Sequence, residues 1–102
     1  MLELRPSCEH CEKALPPEST EAWICSFECT FCQDCVTHML GNVCPNCGGG
    51  FQIRPIRPKG NHRNNNNLEH YPPGTRVVFK PVKPEIFEPL RAKLENIPPE
   101  SR

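Results

Sequence analysis

The sequence predicts a small metal-stabilised α+β domain followed by a flexible C-terminal tail, and three observations predict it. All eight cysteines of the 102-residue chain fall between Cys8 and Cys47. The same half carries few large apolar residues: Leu2, Leu4, Leu15, Trp23, Ile24, Phe27, Phe31, Val36, Met39, Leu40, Val43, Phe51, Ile53 and Ile56. Burying them cannot offset the chain entropy of a module of about fifty residues, so cross-links are needed on energetic grounds. Finally, the opening "MLELRPSCEH" holds Glu3 and Arg5 and no apolar export segment, and no stretch reaches membrane-spanning length. A cytoplasmic location follows as the expectation. Thiols stay reduced there and favour metal over the alternative of a disulfide framework.

The elements follow in order. Residues 1–7, with Leu2 and Leu4 alternating, suit a short strand covering the metal core. "CEHC" (8–11) is a tight turn, and "EKALPPEST" (12–20) is a loop because Pro16-Pro17 bars regular structure. "EAWICSF" (21–27) has the β-branched and aromatic content of a strand, with "ECTFC" returning as the second arm of a hairpin. "QDCVTHMLGN" (33–42) reads as a short helix stopped at Gly41 or Asn42. "CPNC" is a second tight turn, after which "FQIRPI" (51–56) runs out extended.

Three segments emerge: a double-metal module over 1–58, a polar linker over 59–70 and a basic tail over 71–102. The linker has no apolar periodicity and is expected to be mobile. Within the tail, "RVVFKPV" (76–82) is a candidate edge strand, limited by Pro81. Ile86, Leu90, Leu94 and Ile97 have helical spacing, with Pro89 tolerable only if the helix starts there. That stripe, with Phe87, would serve either a partner or packing back on the module.

The formal charge is zero, yet residues 1–51 carry seven acids against two bases and residues 52–102 ten bases against five acids. Four thiolates on each of two divalent ions would make the module more acidic still. Such a surface is a poor nucleic-acid platform. The basic run Arg54, Arg57, Lys59 and Arg63 is either a phosphate-tracking arm or a solvated linker, and the linker is the favoured reading.

The cysteines read C-x2-C-x13-C-x3-C-x2-C-x2-C-x8-C-x2-C. Each C-x2-C turn aims two sulfurs at one point, and zinc takes four thiolates tetrahedrally at Zn–S near 2.3 Å. Two closed sites use all eight sulfurs. Structural zinc contributes on the order of 10–16 kcal/mol in finger peptides, which replaces the missing core. Three pairings are open. Sequential pairing would close its second site over only eight residues between Cys35 and Cys44, where ribbon-type sites use about 15–20. A register pairing Cys29 with Cys32 strands Cys25 and Cys35 as single ligands. Interleaved pairing staples distant segments together and is favoured.

The ladder from Cys8 to Cys47 resembles a RING finger, in which ligands one, two, five and six share one zinc in a cross-brace. That resemblance implies Cys8, Cys11, Cys32 and Cys35 on the first Zn2+, and Cys25, Cys29, Cys44 and Cys47 on the second. The gap between Cys29 and Cys32 is too short for a PHD finger, and the gap before Cys44 too short for a LIM domain. Pro45 is also a RING habit, whereas Cys29 stands where most RING fingers place histidine. "LELRPSCEHCEKALPPES", "ICSFECTFCQDCV", "LGNVCPNCGG" and "RPIRP" are similar to a bacterial family of cysteine-rich proteins, domain of unknown function 1272, over residues 1–58 and loosely to 82. That likeness supports zinc binding in the cytoplasm, says nothing of an activity, and makes eukaryotic ubiquitin chemistry a poorer fit.

Catalysis is not expected, because a closed four-thiolate site leaves no position for water and no nucleophile–base pair stands out. His10 and His38 are read as bystanders rather than ligands, and His62 and His70 as linker residues. The expected role is a non-catalytic interaction or regulatory module whose partner is another protein, with nucleic acid disfavoured. The alternatives are a ubiquitin-ligase-type RING, a zinc-linked redox sensor and a nucleic-acid accessory protein. A ligase face needs an apolar residue inside the first cysteine pair, an aromatic before the seventh ligand and a base after the eighth. Glu9 and His10, "VTHMLGNV" and Gly48 occupy those places.

Overall fold

The computed structural model describes residues 1–102. Its centre is a three-stranded antiparallel sheet of order β2-β1-β3, built from β1 (Ala22–Ile24), β2 (Thr30–Cys32) and β3 (Gln52–Ile53). β1 and β2 form the hairpin, pairing Trp23 with Phe31, and β3 lies on the other edge with Ile53 opposite Trp23. The hairpin turn needs a left-handed residue, and Glu28 supplies it at φ 67°. This costs an L-residue on the order of 1–2 kcal/mol. The Glu28 side chain offsets part of that cost by accepting the Glu3 N–H at 3.1 Å.

After β2 the chain winds into a single π-helical segment, Cys35–Leu40, which buries Val36 and Leu40. It ends where the sequence places a stop. Gly41 and Asn42 are both left-handed, at φ 58° and 59°, and both donate their N–H to the Val36 carbonyl. The Val36 carbonyl, left without a partner further along the helix, is thus satisfied at the helix end.

The core is a single cluster in which Phe31 meets Phe51 edge-to-face at 5.5 Å, surrounded by Leu15, Val36, Leu40 and Val43. Four of its twelve members are cysteines: Cys8, Cys25, Cys32 and Cys44. The apolar core and the sulfur clusters are therefore one object.

The chain after β3 returns across the module. Of the two uses open to the apolar stripe, the structure shows packing back: Phe87 is 4% exposed and sits in the core, with Leu90 and Leu94 against it. The helix carrying them, α1 (Pro84–Leu94), starts at Pro84 and encloses Pro89, so the expected start at Pro89 is corrected. The bond Pro89 cannot make would run to the Glu85 carbonyl, and both residues face solvent, where water takes that oxygen. Ile86, expected on the inner face, is 70% exposed.

Residues 76–82 form no strand. They run extended, and single bonds join the Lys80 N–H to the Glu9 carbonyl (2.8 Å) and the Val82 N–H to His10 Nδ1 (2.9 Å). The segment 59–70 folds locally on its asparagines. Asn61 and Asn65 bond each other, Asn64 and Asn65 are left-handed, and Asn67 is buried. Asparagine side chains mimic turns in this way, which composition alone does not register. Glu3 joins the tail to the N-terminal segment, and the guanidiniums of Arg76 and Arg5 pull its carboxyl down to about 2.

Candidate metal centre

The first cluster gathers donors from three elements. Cys8 and Cys11 come from a turn closed by the bond from Glu12 N–H to the Cys8 carbonyl at 3.0 Å, with Glu12 left-handed at φ 63°. Cys32 ends β2 and Cys35 opens the π-helical segment. Their four sulfurs all lie within 4.8 Å of one another. Cys8 Sγ is 3.8 Å from Cys35 Sγ, and Cys11 Sγ is 3.7 Å from Cys32 Sγ. No pair is joined as a disulfide. Burial pushes the Cys8 and Cys35 thiols well up, and for Cys35 the sulfurs of Cys32 and Cys8 add to that. Cys11 lies at the solvent edge. Its own burial is outweighed by the Lys13 N–H and the neighbouring sulfurs, and its thiol is pulled down. Four sulfurs gathered this closely could hold a metal ion, whose charge would favour their thiolate forms.

The second cluster holds three sulfurs within the same limit: Cys25 at the end of β1, and Cys44 and Cys47 from the turn after the helix. That turn is closed by the bonds from Gly48 N–H to Cys44 O and from Cys44 N–H to Gly49 O, both 2.8 Å. Backbone N–H groups also point at sulfur, from Phe27 to Cys25 and from Gly49 to Cys47, each at 3.4 Å. Cys29, the expected fourth donor, stands outside the mutual reach of the other three. Its carbonyl is tied to the Cys25 N–H across the hairpin turn, and its sulfur accepts the Asn46 amide at 3.5 Å. Burial pushes the Cys29 and Cys44 thiols up as well. The two clusters interleave along the chain, since Cys25 lies between the two halves of the first.

Both clusters are competent to hold a metal ion, and they are unequal. Competition with a chromogenic chelator is expected to remove one equivalent ahead of the other. The Cys29→Ser variant should keep the slow equivalent, and loss of that equivalent in Cys29→Ser would contradict the inequality.

Sequence reasoning missed two buried charged residues. Glu9, read as a surface charge, is 2% exposed, with Oε2 accepting Arg5 Nη1 at 2.8 Å and the Thr30 N–H. The i,i+4 spacing of Arg5 and Glu9 was the available signal. Arg54, placed in a basic run, is 1% exposed and donates to the carbonyls of Arg5, Leu15 and Pro16 at 2.9–3.2 Å. Arg57 likewise donates to the carbonyls of Leu2 and Tyr71. Half of the basic run, expected to be a solvated linker, is thus occupied with backbone carbonyls instead. The histidines stay outside both clusters. His10 Nδ1 is taken by Val82, His38 faces solvent beside Asp34, and His70 bonds Asn67.

Residues 1–57 match the family described as protein of unknown function DUF1272. The chain belongs to that family. The DUF1272 match ends at residue 57, so α1 lies beyond it, while the core residues on which α1 packs lie within it. The chain is also 51% identical over 81 residues to an uncharacterised protein of Rhizobium meliloti (strain 1021), covering 79% of this chain and 89% of that protein. No solved structure matches it. No helix of this DUF1272 protein is long and apolar enough to cross a membrane.

Proposed function

We propose that the chain is a zinc-binding, non-catalytic protein-interaction or regulatory module of the cytoplasm, holding two Zn2+ ions. One observation carries the metal assignment: the free thiols of the first cluster stand 3.7 and 3.8 Å apart in two pairs. A tetrahedron with Zn–S bonds of 2.3 Å has edges of about 3.8 Å. An all-sulfur donor set also disfavours magnesium, calcium and manganese. Zinc would supply charge neutralisation and cross-linking there, while Cys8, Cys11, Cys32 and Cys35 fill every tetrahedral position. Cys25, Cys44 and Cys47 would hold the second ion, with Cys29 as the nearest further sulfur.

The same closure speaks against hydrolytic chemistry at the first site. The ubiquitin-ligase alternative loses support as well. Glu9 is buried and the Lys80–Val82 segment lies bonded along the "CEHC" turn, where a ligase face would present an apolar contact. Native mass spectrometry of protein purified under reducing conditions tests the metal reading, with two zinc ions per chain expected; a single ion would overturn the two-site reading, and none the metal reading itself. Incubation with activating enzyme, a panel of conjugating enzymes and ubiquitin should form no chains above background. Zinc-dependent chain formation would promote the ligase reading.

A further inference from the structure

Docking of the tail creates a concavity that neither half of the chain has alone. It encloses about 460 Å³, within the size range of small-molecule sites. The module contributes Phe31 and Pro45, and the tail contributes Val82, Phe87 and Leu90, so the lining is largely apolar. Lys80 and Lys83 also line it, and no carboxylate does.

Those two ammonium groups differ from most cations of the molecule. Arg5, Lys13, Arg76 and Arg91 are ion-paired with carboxylates. Arg54, Arg57 and Arg102 are spent on backbone carbonyls. Lys80 Nζ, by contrast, donates only to the neutral Asn46 oxygen at 3.2 Å, and Lys83 has no side-chain partner. An apolar cavity beside two uncompensated positive charges has a complementary ligand class: an aliphatic or aromatic body ending in one anionic group. The apolar body gains from leaving water, and the anion finds charge that no protein carboxylate already neutralises.

We infer that this cavity binds an amphipathic organic carboxylate, its apolar body against Val82, Ile86 and Leu90 and its carboxylate between Lys80 and Lys83. Because one wall is the tail, ligand binding holds the tail on the module through mass action. Asn46 bonds Lys80 and lies between Cys44 and Cys47 in their turn, so the site also borders the second sulfur cluster.

The test uses the full-length, metal-loaded chain labelled with 15N, titrated with octanoate, octan-1-ol and octylamine below their aggregation limits. Octanoate is expected to give saturable amide shifts centred on Asn46, Val82, Lys83 and Leu90. Octan-1-ol should bind about tenfold more weakly, as loss of a partly desolvated charge contact implies, and octylamine weaker still. The double variant Lys80→Gln/Lys83→Gln should lower octanoate affinity about tenfold and leave octan-1-ol unchanged. Ile86→Glu, at an exposed position in the lining, should also weaken octanoate, whereas Lys93→Gln should not. Absence of saturable shifts, equal affinity for octan-1-ol, or an unaltered double variant would overturn the assignment.

Discussion

Chelation under reducing conditions is expected to unfold residues 1–58 in one cooperative step, releasing the docked tail with them. The energetic case rests on how little this chain buries. Only 19 of its 102 residues are buried. Its accessible surface is 6401 Å², against about 5800 Å² for a typical folded chain of 11.6 kDa. Its radius of gyration of 14.6 Å likewise exceeds the value of about 13 Å usual at this length. Within the core cluster, Cys8, Cys25, Cys32 and Cys44 occupy places that aliphatic side chains fill elsewhere. A structural zinc contributes on the order of 10–16 kcal/mol, as much as the whole stability of an ordinary domain. Cys32→Ser, which removes a buried donor from the first cluster, should therefore leave the chain unfolded at ordinary zinc concentration. Trp23 pairs with Phe31 and Ile53 across the sheet and reports the change by fluorescence, alongside amide dispersion in NMR. A dispersed spectrum after exhaustive chelation would refute the metal dependence.

The second large effect is at Arg54. Arg54→Ala is expected to cost about 3–5 kcal/mol, because it empties a buried volume and strands three carbonyls from two segments of the chain. Arg54→Lys should recover only part of this, since one ammonium cannot reproduce a planar fork spanning Arg5, Leu15 and Pro16. Arg63→Ala, nine residues on in the same basic run but exposed, should change stability by no more than about 0.5 kcal/mol. Denaturant midpoints at fixed free zinc make the comparison. Equal midpoints for the Arg54→Ala and Arg63→Ala variants would show that Arg54 has no structural role.

Arg54 and Arg63 also mark where sequence reading stops. Both appear in one polar, basic stretch, and only contacts from residues some forty to fifty positions away separate a buried clamp from a solvated charge. Glu9 illustrates the same limit. Its pairing with Arg5 is local and visible, but its burial depends on Thr30 arriving from β2.

What the sequence by itself determined is local chemistry. The cysteine spacing announced two clusters, "CEHC" and "CPNC" announced tight turns, the hairpin was written in "AWI" and "TFC", and Gly41-Asn42 announced the helix stop. Each depends on backbone and side chains within a few residues, where covalent geometry leaves few outcomes. The tertiary structure decided the rest. It placed Cys29 beside Asn46 and outside the sulfur triangle, and it seated Phe87 in the core so that a helix could tolerate Pro89. It also laid Lys80–Val82 along the first cysteine turn. These outcomes depend on contacts between segments up to seventy-two residues apart, and their energies arise from burial and desolvation, which exist only once the segments have met.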